Sequence, residues 1–301
     1  MSGPLPPTTE QAAAMAAFFL PRSELDRLLL ALRAGGRRVI APTVGDGAIV
    51  LAEVESIAEL PAGVSAAVSP GRARLVPMGS ERLFDAPPGP TSWKRWTFPP
   101  RVTQLEWTDA ADEADGELAG ARLPRTPAPA PPPTAFLGVR ACEITALAVQ
   151  DRVLRDGPVA DADYAARRRD NLVVAVECAV AGGTCFCSSM GTGPELTGGF
   201  DLALSELDDG VVVRTGSDAG RALVADLGLA DASTAQAAAA AASVARVRAA
   251  MGTPLPLAGI AAALVAAPDS PRWAQVAERC LACANCTLVC PTCFCTSVGQ
   301  R

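Results

Sequence analysis

The stretch SELDRLLLALRAG (23–35) spaces its apolar residues helically between a capping Ser and a terminal Gly, which predicts an amphipathic helix. RRVIAPTVGDGAIVLAEV (37–54) reads as two strands joined at the turn VGDG. AFLGVR (135–140) is a short apolar strand, and CEITALAVQDRVLR (142–155) follows it as a helix. NLVVAVE (171–177) has the unbroken apolar run of a strand buried on both faces. FDLALSEL (200–207) and GVVVRTG (210–216) predict two further strands, and from 217 the pattern is mainly helical. The Ala-rich run AQAAAAAASVARVRAA (235–250) has Ser233 as its cap and is interrupted by Arg246 and Arg248, so it reads as a helix in water rather than a membrane span. The expected fold class is α/β with a mixed sheet, followed by a helical, Cys-rich, ferredoxin-like C-terminal segment.

The 301 residues suit one large domain or two modest ones. Four regions are expected: an N-terminal α/β region (1–121), a Pro-rich exposed linker or loop, RLPRTPAPAPPPT (122–134), a second α/β region (135–230) and a helical region (231–301). SWKRWTFPP (92–100) is basic and aromatic. It reads either as a contact for an acidic partner or as an edge strand with half-buried Trp side chains. The apolar patch AAAMAAFFL (12–20) is short and follows Glu10 rather than a basic segment, so no secretory signal is expected.

Composition narrows the chemistry. There are ten Cys and no His, which excludes Ser-His-Asp and Cys-His catalysis and any His-ligated zinc or haem within this chain. A net charge of −6 without a long basic run argues against nucleic acid or an anionic membrane as partner. A cytoplasmic location is expected, where ten thiols are metal ligands or redox groups rather than structural disulfides.

Residues 280–291, CLACANCTLVCP, set Cys280, Cys283, Cys286 and Cys290 in the spacing of the bacterial ferredoxin run for a 4Fe-4S cluster, closed by Pro291. Two-residue gaps let one tight loop meet three corners of a cubane while its backbone N–H groups point at sulfur. Zinc sites more often use two separated Cys pairs, so iron–sulfur is preferred to a zinc-stabilised interaction module. In two-cluster ferredoxins the fourth Cys of such a run serves the other cluster. Either the chain is an incomplete form of a longer two-cluster protein, the expected case, or Cys290, Cys293 or Cys295 completes one cluster here.

The other four Cys form a second candidate site. Cys142 follows strand 135–140 and Cys178 follows strand 171–177; if the strands are parallel neighbours, both thiols lie at the carboxyl edge, where α/β sheets hold ligands. The Gly-rich loop AGGTCFCSSMGTGP (181–194) adds Cys185 and Cys187. The tetrapeptide TCFC recurs at 292–295, giving Cys293 and Cys295 near the ferredoxin run. An extended Cys-Phe-Cys would put both thiols on one face and turn Phe186 or Phe294 inward as a shield. MGTGPE (190–195) matches neither the dinucleotide nor the phosphate-loop pattern, so a catalytic subunit with its own substrate site is the weaker alternative.

Together GDGAIVLAEV, FLGVRACEITALAVQDRVL, GGTCFCSSMGTGP, FDLALSEL and ERCLACANCTLVCPTCFCTSV resemble the 4Fe-4S dicluster electron-transfer subunits. That family holds the beta subunit of sulfhydrogenase-type nickel–iron hydrogenases and the corresponding iron–sulfur subunit of anaerobic sulfite reductase. The resemblance runs from about residue 23 to the end. It implies a non-catalytic electron-transfer subunit with 4Fe-4S clusters. Such a subunit connects a flavin-containing, NAD(P)H-oxidising partner to a hydrogenase or sulfite reductase subunit. Family members usually continue to a second ferredoxin run, which this sequence lacks.

Overall fold

The computed structural model describes residues 16–103, 106–109, 122–125, 132–252 and 254–294. At its centre lie eight strands: β1 (Ala17–Pro21), β2 (Arg38–Gly45), β3 (Ala48–Val54), β8 (Thr134–Val139), β9 (Leu172–Val176), β10 (Leu202–Glu206), β11 (Gly210–Thr215) and β12 (Ala230–Asp231). They form one sheet in the order β12-β1-β11-β10-β9-β8-β2-β3. β2, β8, β9 and β10 are parallel, while β3 pairs antiparallel with β2 on one side, and on the other β11 pairs antiparallel with β10, β1 with β11 and β12 with β1. The sheet therefore takes strands from both sides of the Pro-rich stretch. Two ribbons lie outside it, one pairing Val64–Ser69 (β4) with Arg72–Pro77 (β5), the other Glu106–Asp109 (β6) with Arg122–Arg125 (β7).

Side-chain alternation along the central strands supplies both faces with apolar groups. Leu172, Val174 and Val176 of β9 join Leu137, Leu202 and Leu204 on one face, beneath Leu28, Leu29 and Leu32 of the helix Leu25–Arg33 and Val224 and Leu227 of the helix Asp218–Leu227. Val173 and Ala175 join Phe136, Trp93 and Leu147 on the other, under the helix Ala141–Gln150. Mixed α/β architecture is what the patterning predicts.

Several local expectations change. The helix predicted from Ser23 opens with a 3-10 turn, Arg22–Glu24, and its α-helical part has no side-chain cap. The helix predicted over 142–155 is α-helical to Gln150 and then widens into a π turn, Asp151–Arg155, where Asp151 accepts from Tyr164 Oη at 2.6 Å and from Arg168 Nε at 2.9 Å. The apolar residues Ala17–Pro21 form β1 inside the sheet. The segment around Trp93 is a short helix, Lys94–Thr97, rather than an edge strand, and Trp93 is buried against Phe136 with ring centroids 5.2 Å apart. Ser233 does cap the helix Thr234–Ala250, in a reciprocal box with Gln236. No described helix is long and apolar enough to cross a membrane.

Phe136 carries the packing between the central strand and the helical layer. Truncation in Phe136→Ala is expected to lower unfolding free energy by about 3–5 kcal/mol, read from the denaturant midpoint at unchanged m-value.

Candidate metal centre at the sheet edge

β8 and β9 run parallel as neighbours, pairing Phe136 with Val173 and Leu137 with Val174. The register slips at Gly138, whose φ is +102°, and Val139 comes opposite Ala175. A side chain at Gly138 would meet Pro42 Cδ at 2.9 Å, so only glycine fits this bulge. The bulge re-aims the strand just before Arg140 and Cys142. Glu143 Oε2 accepts the Arg140 backbone N–H at 2.8 Å and closes the first turn of the helix carrying Cys142. Cys178 stands two residues past the end of β9.

The loop from 181 to 194 brings the second pair. Gly183 N donates to Val68 O of β4 at 3.1 Å, and a Cβ there would lie 2.5 Å from that oxygen, so this approach also requires glycine. Gly182 N donates to Cys185 Sγ at 3.2 Å, a backbone N–H aimed at sulfur. Cys187 opens a one-turn helix, Cys187–Met190, and its Sγ lies 3.9 Å from Met251 Sδ. That turn bends the Cys-Phe-Cys segment, and Phe186 is 51% exposed. The inward, shielding Phe186 expected from an extended strand is therefore not found, because the backbone turns helical at Cys187. Phe294 is half-buried, and Cys295 lies outside the described residues.

The four thiols of Cys142, Cys178, Cys185 and Cys187 are within electrostatic reach of one another. Cys142 is pushed up to about 12 by burial first, then by the charges of Glu143, Cys178, Cys187 and Cys185. Cys178 is pushed up to about 11 by burial, with the Arg140 guanidinium opposing. Burial and then Cys185 raise Cys187. Burial likewise lifts Glu177 to about 7, against Arg214, whose Nη2 is 2.5 Å from Oε1. Burial and mutual repulsion thus favour the neutral form of Cys142, Cys178 and Cys187 in the absence of a positive centre.

The donor set is all sulfur, and the nine described Cys are free thiols. Among the described residues no three His, Cys, Asp or Glu side chains stand close enough to hold a single metal ion.

Arg140 organises this edge. Its side chain is buried and donates to Glu177 O at 3.0 Å, Phe84 O at 2.8 Å and Ala86 O at 3.1 Å. Glu206 holds the same strap, residues 83–86, from its donor side, accepting from Leu83 N at 2.8 Å and Phe84 N at 2.9 Å. A cavity of about 30 Å³, lined by Arg140, Glu143, Phe84 and Pro87 among others, lies behind it. Sequence reasoning passed over Arg140, although GVRACE placed a cation between the strand end and the first Cys.

The C-terminal run is more open. Cys280, Cys283 and Cys286 are exposed, while Cys290 and Cys293 are half-buried. Ala282 and Ala284 hold left-handed φ of +51° and +60°, conformations that cost an alanine about 1–2 kcal/mol and that wind the chain tightly between the Cys positions. Ala282 N donates to Cys280 Sγ at 3.4 Å, and Cys290 Sγ lies 3.1 Å from Thr292 Oγ1, a contact that lowers the Cys290 thiol. The segment leading to the run crosses the first TCFC loop: Arg248 Nε donates to Glu195 Oε1 at 2.6 Å and Leu255 N to Ser189 Oγ at 3.0 Å.

Comparison with known proteins gives one clear likeness. Sulfhydrogenase 2 subunit beta of Pyrococcus furiosus is 37% identical over 165 residues, which are 54% of this chain and 48% of the relative. The chain is similar to a hydrogenase beta subunit. It spans about half the length of that relative. No protein-family model and no solved structure matches it.

In metal-free protein at pH 7.5, Cys142 and Cys178 are expected to alkylate at least about tenfold more slowly than exposed Cys280 and Cys283. Differential labelling read by peptide mass spectrometry checks this; equal rates would mean that the sheet-edge thiols are open to solvent.

Proposed function

We propose that the chain is an iron–sulfur electron-transfer subunit of an oxidoreductase complex, with 4Fe-4S clusters as its cofactors. The observation that carries this reading is that Cys142 and Cys178 follow the ends of the parallel neighbours β8 and β9, with Cys185 and Cys187 on the glycine-rich loop that follows Cys178 and aims the Gly182 N–H at the Cys185 sulfur. The ferredoxin spacing of Cys280, Cys283, Cys286 and Cys290 and the similarity to a sulfhydrogenase beta subunit support it. Clusters supply one-electron storage at each place when bound. The chain's residues would hold and tune them. Cys142, Cys178, Cys185 and Cys187 ligate at the sheet edge, where Gly182 N–H and the Arg140 charge offset added negative charge. Cys280, Cys283 and Cys286 ligate at the C-terminal run, with Cys290, Cys293 or Cys295 available as further donors. The partners in this reading, in the cytoplasm, are a flavin-containing, NAD(P)H-oxidising protein and a hydrogenase or sulfite reductase subunit.

Protein purified without oxygen should hold iron and acid-labile sulfide in near-equal amounts. Cys142→Ser and Cys187→Ser should each remove one cluster's iron and its reduced-state magnetic signal, and Cys283→Ser should remove the other's. A colourless protein with stoichiometric zinc, or unchanged iron and spectra in Cys142→Ser, would sink the assignment. The isolated chain is expected to show no NAD(P)H oxidation or sulfite reduction of its own, measured spectrophotometrically.

A further inference from the structure

Among the 26 Lys and Arg residues of the chain there is a single lysine, Lys94, and it is 4% exposed. Its Nζ donates to three backbone carbonyls of the C-terminal run: Thr287 O at 3.0 Å, Cys290 O at 2.9 Å and Cys293 O at 2.6 Å. Those oxygens belong to the last turn of the helix Asn285–Val289 and the chain just past it, where a helix leaves carbonyls without partners and favours a cation. An ammonium has three rotatable donors about one compact charge; the planar fork of arginine does not match three carbonyls converging on a point. A chain that otherwise uses arginine has lysine at the place where that difference matters.

The backbone of Lys94 is fixed on its own side. Its N–H donates to Ser92 Oγ at 3.2 Å, Thr97 Oγ1 donates to Gln150 Oε1 at 2.8 Å, and Trp93 packs on Phe136 of β8. The opposing segment is held more lightly, since Cys280, Cys283 and Cys286 are exposed. The contact is also demanding: a buried ammonium without acceptors is costly, so release of the run would strand the charge. Trp93 extends the connection toward the other cysteines. It lies in the same buried apolar cluster as Ala141 and Leu147 of the helix that carries Cys142.

We propose that Lys94 is the latch that seats the C-terminal cysteine run on the sheet domain and so fixes its position relative to the sheet-edge cysteines, with Trp93 and Lys94 as the bridge between the two groups. The mechanical part stands without any cofactor. Its redox consequence, a fixed relation between two clusters, rests on the function proposed above.

Hydrogen exchange of the full-length chain tests the latch. Lys94→Met should speed exchange of amides in residues 285–294 at least about tenfold, the loss expected for charge-assisted hydrogen bonds. Exchange in β8 and β9 should stay as in the parent, which reports that the core is folded. Unchanged exchange at 285–294 would overturn the proposal. If Lys94→Met does not fold, the parent protein answers instead: an amine-reactive ester should label Lys94 far more slowly than it labels free lysine, and rapid labelling in the folded chain would overturn the latch. In iron-loaded protein, Lys94→Met should keep its iron and both reduced-state signals but alter the magnetic coupling between them; unaltered coupling would overturn the bridge. Absence of iron from the parent would instead refute the proposed function, and the exchange result would still decide the latch.

Discussion

The sheet-edge site depends on the parallel pairing of β8 with β9. Parallel neighbours end on the same side, so two residues far apart in sequence, Cys142 and Cys178, leave the sheet together. The bulge at Gly138 and the capping contact of Glu143 refine where Cys142 points. Arg140 then ties this edge to the strap around Phe84 and places a buried positive charge beside thiols whose ionisation would otherwise be opposed by burial and by one another.

The two cysteine groups differ in kind. The first is assembled from separated pieces and partly enclosed; the second is one continuous loop, mostly open, wound by two alanines in left-handed conformation. An enclosed site is set by the fold around it. An open one is set by its own sequence spacing and by whatever holds it in place, which here is a lysine buried on the other side of the contact. The apolar side chains of Leu264, Trp273, Val276 and Leu281 are exposed along the same open segment.

Much of this was legible because the signals were local. Unbroken apolar runs gave β8 and β9, the segments 200–207 and 210–216 gave β10 and β11, and the parallel pairing of β8 with β9 puts Cys142 and Cys178 after the same edge of the sheet. What could not be read depended on distant partners. Nothing near Ala17–Pro21 says that β1 inserts beside β11, about two hundred residues away. The basic, aromatic look of SWKRW concealed a lysine that turns inward, because its acceptors are backbone carbonyls and carry no side-chain signature. The exposed Phe186 was missed for a third reason: the Cys-x-Cys pattern is compatible with both an extended and a turned backbone, and the helical turn at Cys187 decides between them.

The insertion of β1 between β11 and β12 has a consequence for how the chain is made. Synthesis delivers Phe18, Phe19 and Leu20 early, yet the strands that receive them are completed only at Thr215 and Asp231. This apolar strand therefore waits, unpaired, while the rest of the sheet is translated, and its docking closes a long loop late in folding. The helix Asp218–Leu227, emerging just before β12, completes the apolar face on which Leu20 comes to rest.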